Sequence, residues 1–81
     1  MSADSIAKQL HAAITAALPE SEVEVTIGSP GHYSLSVTSP QFEGKGSVAK
    51  QRLVYAAITD LMAGDNAPVH AIDTLQTKLP S

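Results

Sequence analysis

Three short stretches of this chain carry side chains that could do chemistry, and each needs something different to complete it. His70 follows Pro68-Val69, where a loop enters a strand pattern, so its imidazole is placed to emerge at a sheet end. Neutral imidazole is a metal ligand, but one imidazole cannot hold a metal centre, and a [2Fe–2S] cluster needs four ligands. The chain has no Cys, so a metal bound by His70 takes its other donors from His32 or from another molecule. The simpler account is a structural or solvent-exposed histidine. In the second stretch, Ser29-Pro30-Gly31-His32-Tyr33-Ser34, a hydroxyl lies near an imidazole, the beginning of a nucleophile and its base. No third group at a recognisable spacing orients His32, and catalysis is not expected. The third, Gly44-Lys45-Gly46, has neither the spacing nor the length of a phosphate-binding loop. What remains there is Lys45, Lys50 and Arg52, gathered at a helix entrance in an otherwise acidic chain. They form either a solvated helix flank or a docking surface for a partner or nucleic acid. No second aromatic joins Tyr55 there to form an obvious base-stacking platform.

The elements that must hold these residues follow from periodicity. Ile6, Leu10, Ala13, Ile14, Ala17 and Leu18 recur at three and four, one face of a helix capped by Ser2 or Asp4 and stopped near Pro19. His11 falls at the edge of that stripe, a surface position. Val23, Val25 and Ile27 alternate with Glu22, Glu24 and Thr26, and Tyr33, Leu35 and Val37 alternate with Ser34, Ser36 and Thr38. These are two half-buried strands joined by the turn Gly28-Ser29-Pro30-Gly31. A second helical pattern, with Ser47 as expected N-cap, carries Leu53, Val54, Ala57, Ile58, Leu61 and Met62 and ends at Gly64–Pro68. Val69 to Leu75 reads as a third strand, in which Ile72 and Leu75 differ in parity, the mark of a bulge or an early end. The order α-β-β-α-β makes strands two and three parallel across the helix. The expected fold is therefore α+β, one domain over residues 1–81, with a mixed three-stranded sheet and both helices on one face.

Composition agrees with a single small domain. Eighty-one residues with 43% hydrophobic and 16% charged side chains suit a globular chain and not a disordered one. At about 0.05–0.15 kcal/mol per residue, a chain of this length has a net stability of roughly 4–12 kcal/mol. A formal charge of −3 gives no general attraction to nucleic acid or an anionic membrane. With no basic leader and no apolar run near the roughly 20 residues of a membrane span, a soluble cytoplasmic protein is expected.

The stretch Phe42-Glu43-Gly44-Lys45, the helix through Arg52, Val54 and Tyr55, and the later His70-Ala71 pair together resemble the BolA family, and Gln51, where a His is common, is nearest its IbaG/YrbA subgroup. The Gly31-His32-Tyr33 strand resembles the family's His-aromatic strand, and the resemblance runs from about Val23 onward. It implies the class II KH-like α-β-β-α-β fold, with Phe42, Val54 and Ile58 in the core and Gly44 required by its turn. It also implies a non-enzymatic protein that pairs with a monothiol glutaredoxin in iron–sulfur cluster trafficking or iron homeostasis. In that scheme the glutaredoxin cysteine and glutathione hold part of a [2Fe–2S] cluster, and His70 is carried over as a ligand from this chain. Ser29 stands where many relatives have Cys, so His32, the only imidazole in that region, is the candidate second donor from this chain. The alternative is that every other donor comes from another molecule. The resemblance leaves two alternatives: a DNA-binding transcription regulator, active in stress response, using Lys45, Lys50 and Arg52, and a metal-free adaptor. DNA binding would be weak and steeply salt-sensitive.

Overall fold

The computed structural model describes residues 2–80. The chain runs α1 (Ala3–Ala17), β1 (Glu22–Ile27), β2 (His32–Thr38), a 3-10 turn (Pro40–Phe42), α2 (Ser47–Ala57), a single-turn α3 (Thr59–Met62) and β3 (Ala71–Lys78). Ser2 caps α1, its hydroxyl oxygen accepting from the Ser5 amide at 3.2 Å. Ile6, Leu10 and Ile14 then form the buried stripe, which Leu18 closes.

β2 is the central strand, antiparallel to β1 and parallel to β3. Tyr33, Leu35 and Val37 are buried on the side covered by the helices, while Ser34, Ser36 and Thr38 stand on the uncovered side. In β3 the pairing runs Tyr33↔Ile72 and then Ser34↔Thr74, so Asp73 is an extra residue, a β-bulge. The bulge resolves the parity conflict. Ile72 lies opposite Tyr33 and Leu75 opposite Leu35, so both meet the core, which an unbroken alternation would forbid.

The chain leaves β2 through Ser39, which is fully buried and whose hydroxyl oxygen accepts from the Gln41 amide at 3.1 Å. That short turn drives Phe42 into the core beside Leu10, Ile14, Val54, Ile58 and Val69. Gly44 follows with φ +78° and open space around it, so its turn requires glycine for backbone reasons.

Several boundaries differ from the periodic reading. The second helix breaks at Ile58, where φ −115° and ψ 13° leave the helical region, and Thr59 instead bonds through its hydroxyl to the Tyr55 carbonyl. Gly46, not Ser47, is the N-cap of α2, and no side chain caps it. β3 begins at Ala71 rather than Val69 and continues to Lys78, because the Val69 amide is spent on the Leu61 carbonyl at 3.1 Å. Ile27, whose parity points inward, is 40% exposed because it ends β1.

Phe42 shows the scale of this core. Phe42→Ala removes a fully buried aromatic and is expected to cost about 3–5 kcal/mol. That is a large part of the total, so the variant should be partly unfolded at room temperature in a urea titration. Val48→Ala, at a residue 61% exposed, should stay within about 0.5 kcal/mol of the parent in the same titration.

Candidate functional site

His70 sits on a rigid mount. Val69 before it is 1% exposed, and Ala71 after it opens β3. The amides of His70 and Ala71 both donate to the Gly31 carbonyl, at 2.8 and 3.2 Å. Gly31 ends the β1–β2 turn with φ +80°. The His70 ring lies over it so closely that a Cβ built on Gly31 would be 2.8 Å from both Cγ and Nδ1 of the ring. His70 is nevertheless exposed, and its ring makes no hydrogen bond or ion pair among the described residues. Beside it a groove of about 350 Å³ opens between the start of α1, the β1–β2 turn and the loop before β3. Its walls are mainly apolar, with Ile6, Pro30, Tyr33 and Pro68 among them.

His32 stands at the same end of the sheet, paired in register with Ala71. Its Nδ1 lies 2.9 Å from Oδ1 of Asp73, the bulged residue, with the two side chains 40% and 51% exposed. Asp73 is the orienting group that sequence spacing does not reveal, 41 positions away. No serine hydroxyl completes a triad, because none is hydrogen-bonded to His32 among the described residues. The Ser29–His32 tie runs through the backbone instead, His32 N–H donating to the Ser29 carbonyl at 2.8 Å.

As metal donors these residues are an incomplete set. Among the described residues no group of three or more His, Cys, Asp or Glu is arranged to hold an ion. Among the described residues the rings of His70 and His11 have no hydrogen-bond partner, but His11 stands on α1. The two imidazoles at this end of the sheet are His70 and His32, the latter with Nδ1 held by a carboxylate and Nε2 unbonded. A carboxylate on the far nitrogen is the usual setting of a ligating histidine. Two imidazoles at one end of the sheet fall short of the four donors of a [2Fe–2S] cluster, so any cluster here would take its remaining donors from another molecule.

The basic residues lie elsewhere. β2 and β3 are parallel, His70 enters the start of β3, and Lys45 stands in the loop after the end of β2, so the two are at opposite ends of the sheet. Lys45 and Arg52 are exposed and Lys50 is half-buried. Val48 and Tyr55, 61% and 39% exposed and seven residues apart, flank Arg52 on the outer side of α2. His11 is exposed on α1.

Sequence spacing misses Gly31 and Asp73. The parity mismatch between Ile72 and Leu75 points to the bulge that contains Asp73, but nothing local points to the packing of Gly31 on a residue 39 positions later.

A family model described as BolA-like protein matches residues 2–81. An uncharacterized protein of the rpoN-murA intergenic region of Acinetobacter guillouiae is 38% identical over 65 residues, 80% of this chain and 75% of that protein. BolA-like protein 1 of Mus musculus is 39% identical over 57 residues, 70% of this chain but 39% of the mouse protein, so the chain spans well under half of it. Among solved structures, a bolA protein homologue from Coxiella burnetii superposes with a TM-score of 0.72 at 31% identity, covering 99% of this chain and 92% of that one. No helix among the described residues is long and apolar enough to cross a membrane.

The His32–Asp73 pair is too exposed to hold the fold together. Pairs this open contribute about 0–1 kcal/mol. Asp73→Asn is therefore expected to lower unfolding stability by less than about 1 kcal/mol in urea.

Proposed function

This chain belongs to the BolA-like family, and we propose that it acts as a non-enzymatic partner of a cytoplasmic monothiol glutaredoxin in iron–sulfur cluster trafficking or iron homeostasis. The observation that carries the reading is His70: an exposed imidazole on a fixed backbone, its ring without a hydrogen-bond or ion-pair partner among the described residues. The apolar groove at its flank suits a protein surface laid over this end of the sheet.

A [2Fe–2S] cluster is cargo in this scheme, held between the two chains with the glutaredoxin cysteine and glutathione as the outside donors. His70 is the first donor from this chain. His32 is the second, its ring turned by the bulge carboxylate so that Nε2 is the nitrogen left to coordinate. The protein's part is to place soft-metal donors without shielding them from a partner.

Nucleic-acid binding through Lys45, Lys50 and Arg52 is the other reading, and the exposure of Lys45 in the loop before α2 and of Arg52 on that helix is what supports it. Three phosphate contacts on a single strand give a salt slope of about −2, so fourfold more salt would weaken binding about 16-fold.

The deciding experiment is reconstitution of this chain with a cognate monothiol glutaredoxin, glutathione, iron and sulfide, followed by visible absorption and circular dichroism. A heterocomplex spectrum distinct from glutaredoxin alone, lost in His70→Ala while the fold persists, is the expected result. His32→Ala then tests the second donor. An unchanged spectrum in His70→Ala overturns the assignment of His70. A spectrum identical to that of glutaredoxin alone shifts the function to a metal-free adaptor or to nucleic acid.

A further inference from the structure

We propose that Gly31 is a positioning residue for His70, kept without a side chain because the imidazole fills the space where one would stand. The proposal rests on His70 being the donor and specifies what holds that donor in place. Gly31, Gly44 and Gly64 all have positive φ, at +80°, +78° and +87°. A Cβ on Gly44 or Gly64 would meet nothing within 4 Å, whereas one on Gly31 would meet Cγ and Nδ1 of His70 at 2.8 Å and its Cβ at 3.2 Å. Gly31 is thus constrained twice, by its own backbone and by a ring that belongs to the loop entering β3.

The contact is tied in from both sides. The Gly31 carbonyl takes the amides of His70 and Ala71, and the turn closes on itself through Gly28 N–H to the His32 carbonyl at 2.9 Å and His32 N–H to the Ser29 carbonyl at 2.8 Å. Neither the ring nor the turn can move away without breaking a backbone hydrogen bond or changing the His70 rotamer. To reach ordinary contact at 3.4 Å from 2.8 Å, the ring must retreat by about 0.6 Å. Metal–ligand distances are held to about 0.2 Å, so a displacement three times as large removes a donor from its place.

The test reads the ring directly. Gly31→Ala and Gly64→Ala impose similar strain at positive φ, but only the first puts a Cβ against the imidazole. In NMR spectra of the isolated chain, the His70 ring protons should show contacts to the Gly31 α-protons. Gly31→Ala should shift those ring resonances and, with glutaredoxin, lower the retained shared cluster several-fold, while Gly64→Ala matches the parent in both. Gly31→Asn carries the same Cβ on a residue more at home at positive φ, and it serves if Gly31→Ala fails to fold. Ring resonances unmoved in the folded Gly31 variants, or moved equally by Gly64→Ala, overturn the proposal. Because the ring is read without metal, a parent chain that shares no cluster defeats the donor role of His70 and leaves the seating of the ring to be judged by NMR alone.

Discussion

β2 has one face under the helices and one in water, and both neighbouring strands must obey that division. Tyr33, Leu35 and Val37 supply much of the apolar surface that α1 and α2 cover, so a slip of one residue would exchange them for Ser34 and Ser36. β1 meets the requirement by plain alternation. β3 cannot, since Ile72 and Leu75 both belong to the covered side, and the chain absorbs the conflict by bulging at Asp73. The carboxylate beside His32 is therefore a product of core packing. A residue pushed out of the ladder to keep Leu75 inside becomes the partner of an imidazole on the uncovered side.

The same end of the sheet shows how so small a domain makes a defined site without a cleft. Its groove is shallow and its ionisable groups are largely solvated, so neither deep burial nor a dense charge cluster fixes any side chain there. Position comes from backbone. One carbonyl, that of Gly31, receives two consecutive amides, and the buried Val69 anchors the chain immediately before. An imidazole held in this way stays open to another molecule, whereas one held by side-chain hydrogen bonds would have part of its chemistry already used.

Much of this fold is legible in the residue pattern because it rests on local periodicity. The stripe of Ile6, Leu10 and Ile14, the alternation through β2 and the core role of Phe42, Val54 and Ile58 all follow from spacing or from family resemblance. The mixed sheet follows from the order of elements. What spacing conveys poorly is where a pattern stops. Leu53 to Met62 reads as one apolar helix, but the backbone turns out of the helix at Ile58 while its side chain remains fully buried, so hydrophobicity carries no trace of the break. Val69 is strand-like in type and buried, but its amide is claimed by Leu61, a bond set by tertiary geometry. The candidate site divides along the same line. His70 and His32 stand out by chemical type, whereas Asp73 and Gly31 matter only through residues some forty positions away.

A three-stranded sheet in the order β1-β2-β3 leaves two of its six strand sides unpaired, the outer edges of β1 and β3. Each is a template on which a strand of another molecule can add. On β1, the exposed Glu22 and Glu24 would bring like charges together if two copies aligned edge to edge. On β3, the extra residue at Asp73 interrupts the regular row of donors and acceptors partway along the strand. The irregularity that keeps Leu75 in the core thus also works against a second copy pairing in regular register along the β3 edge.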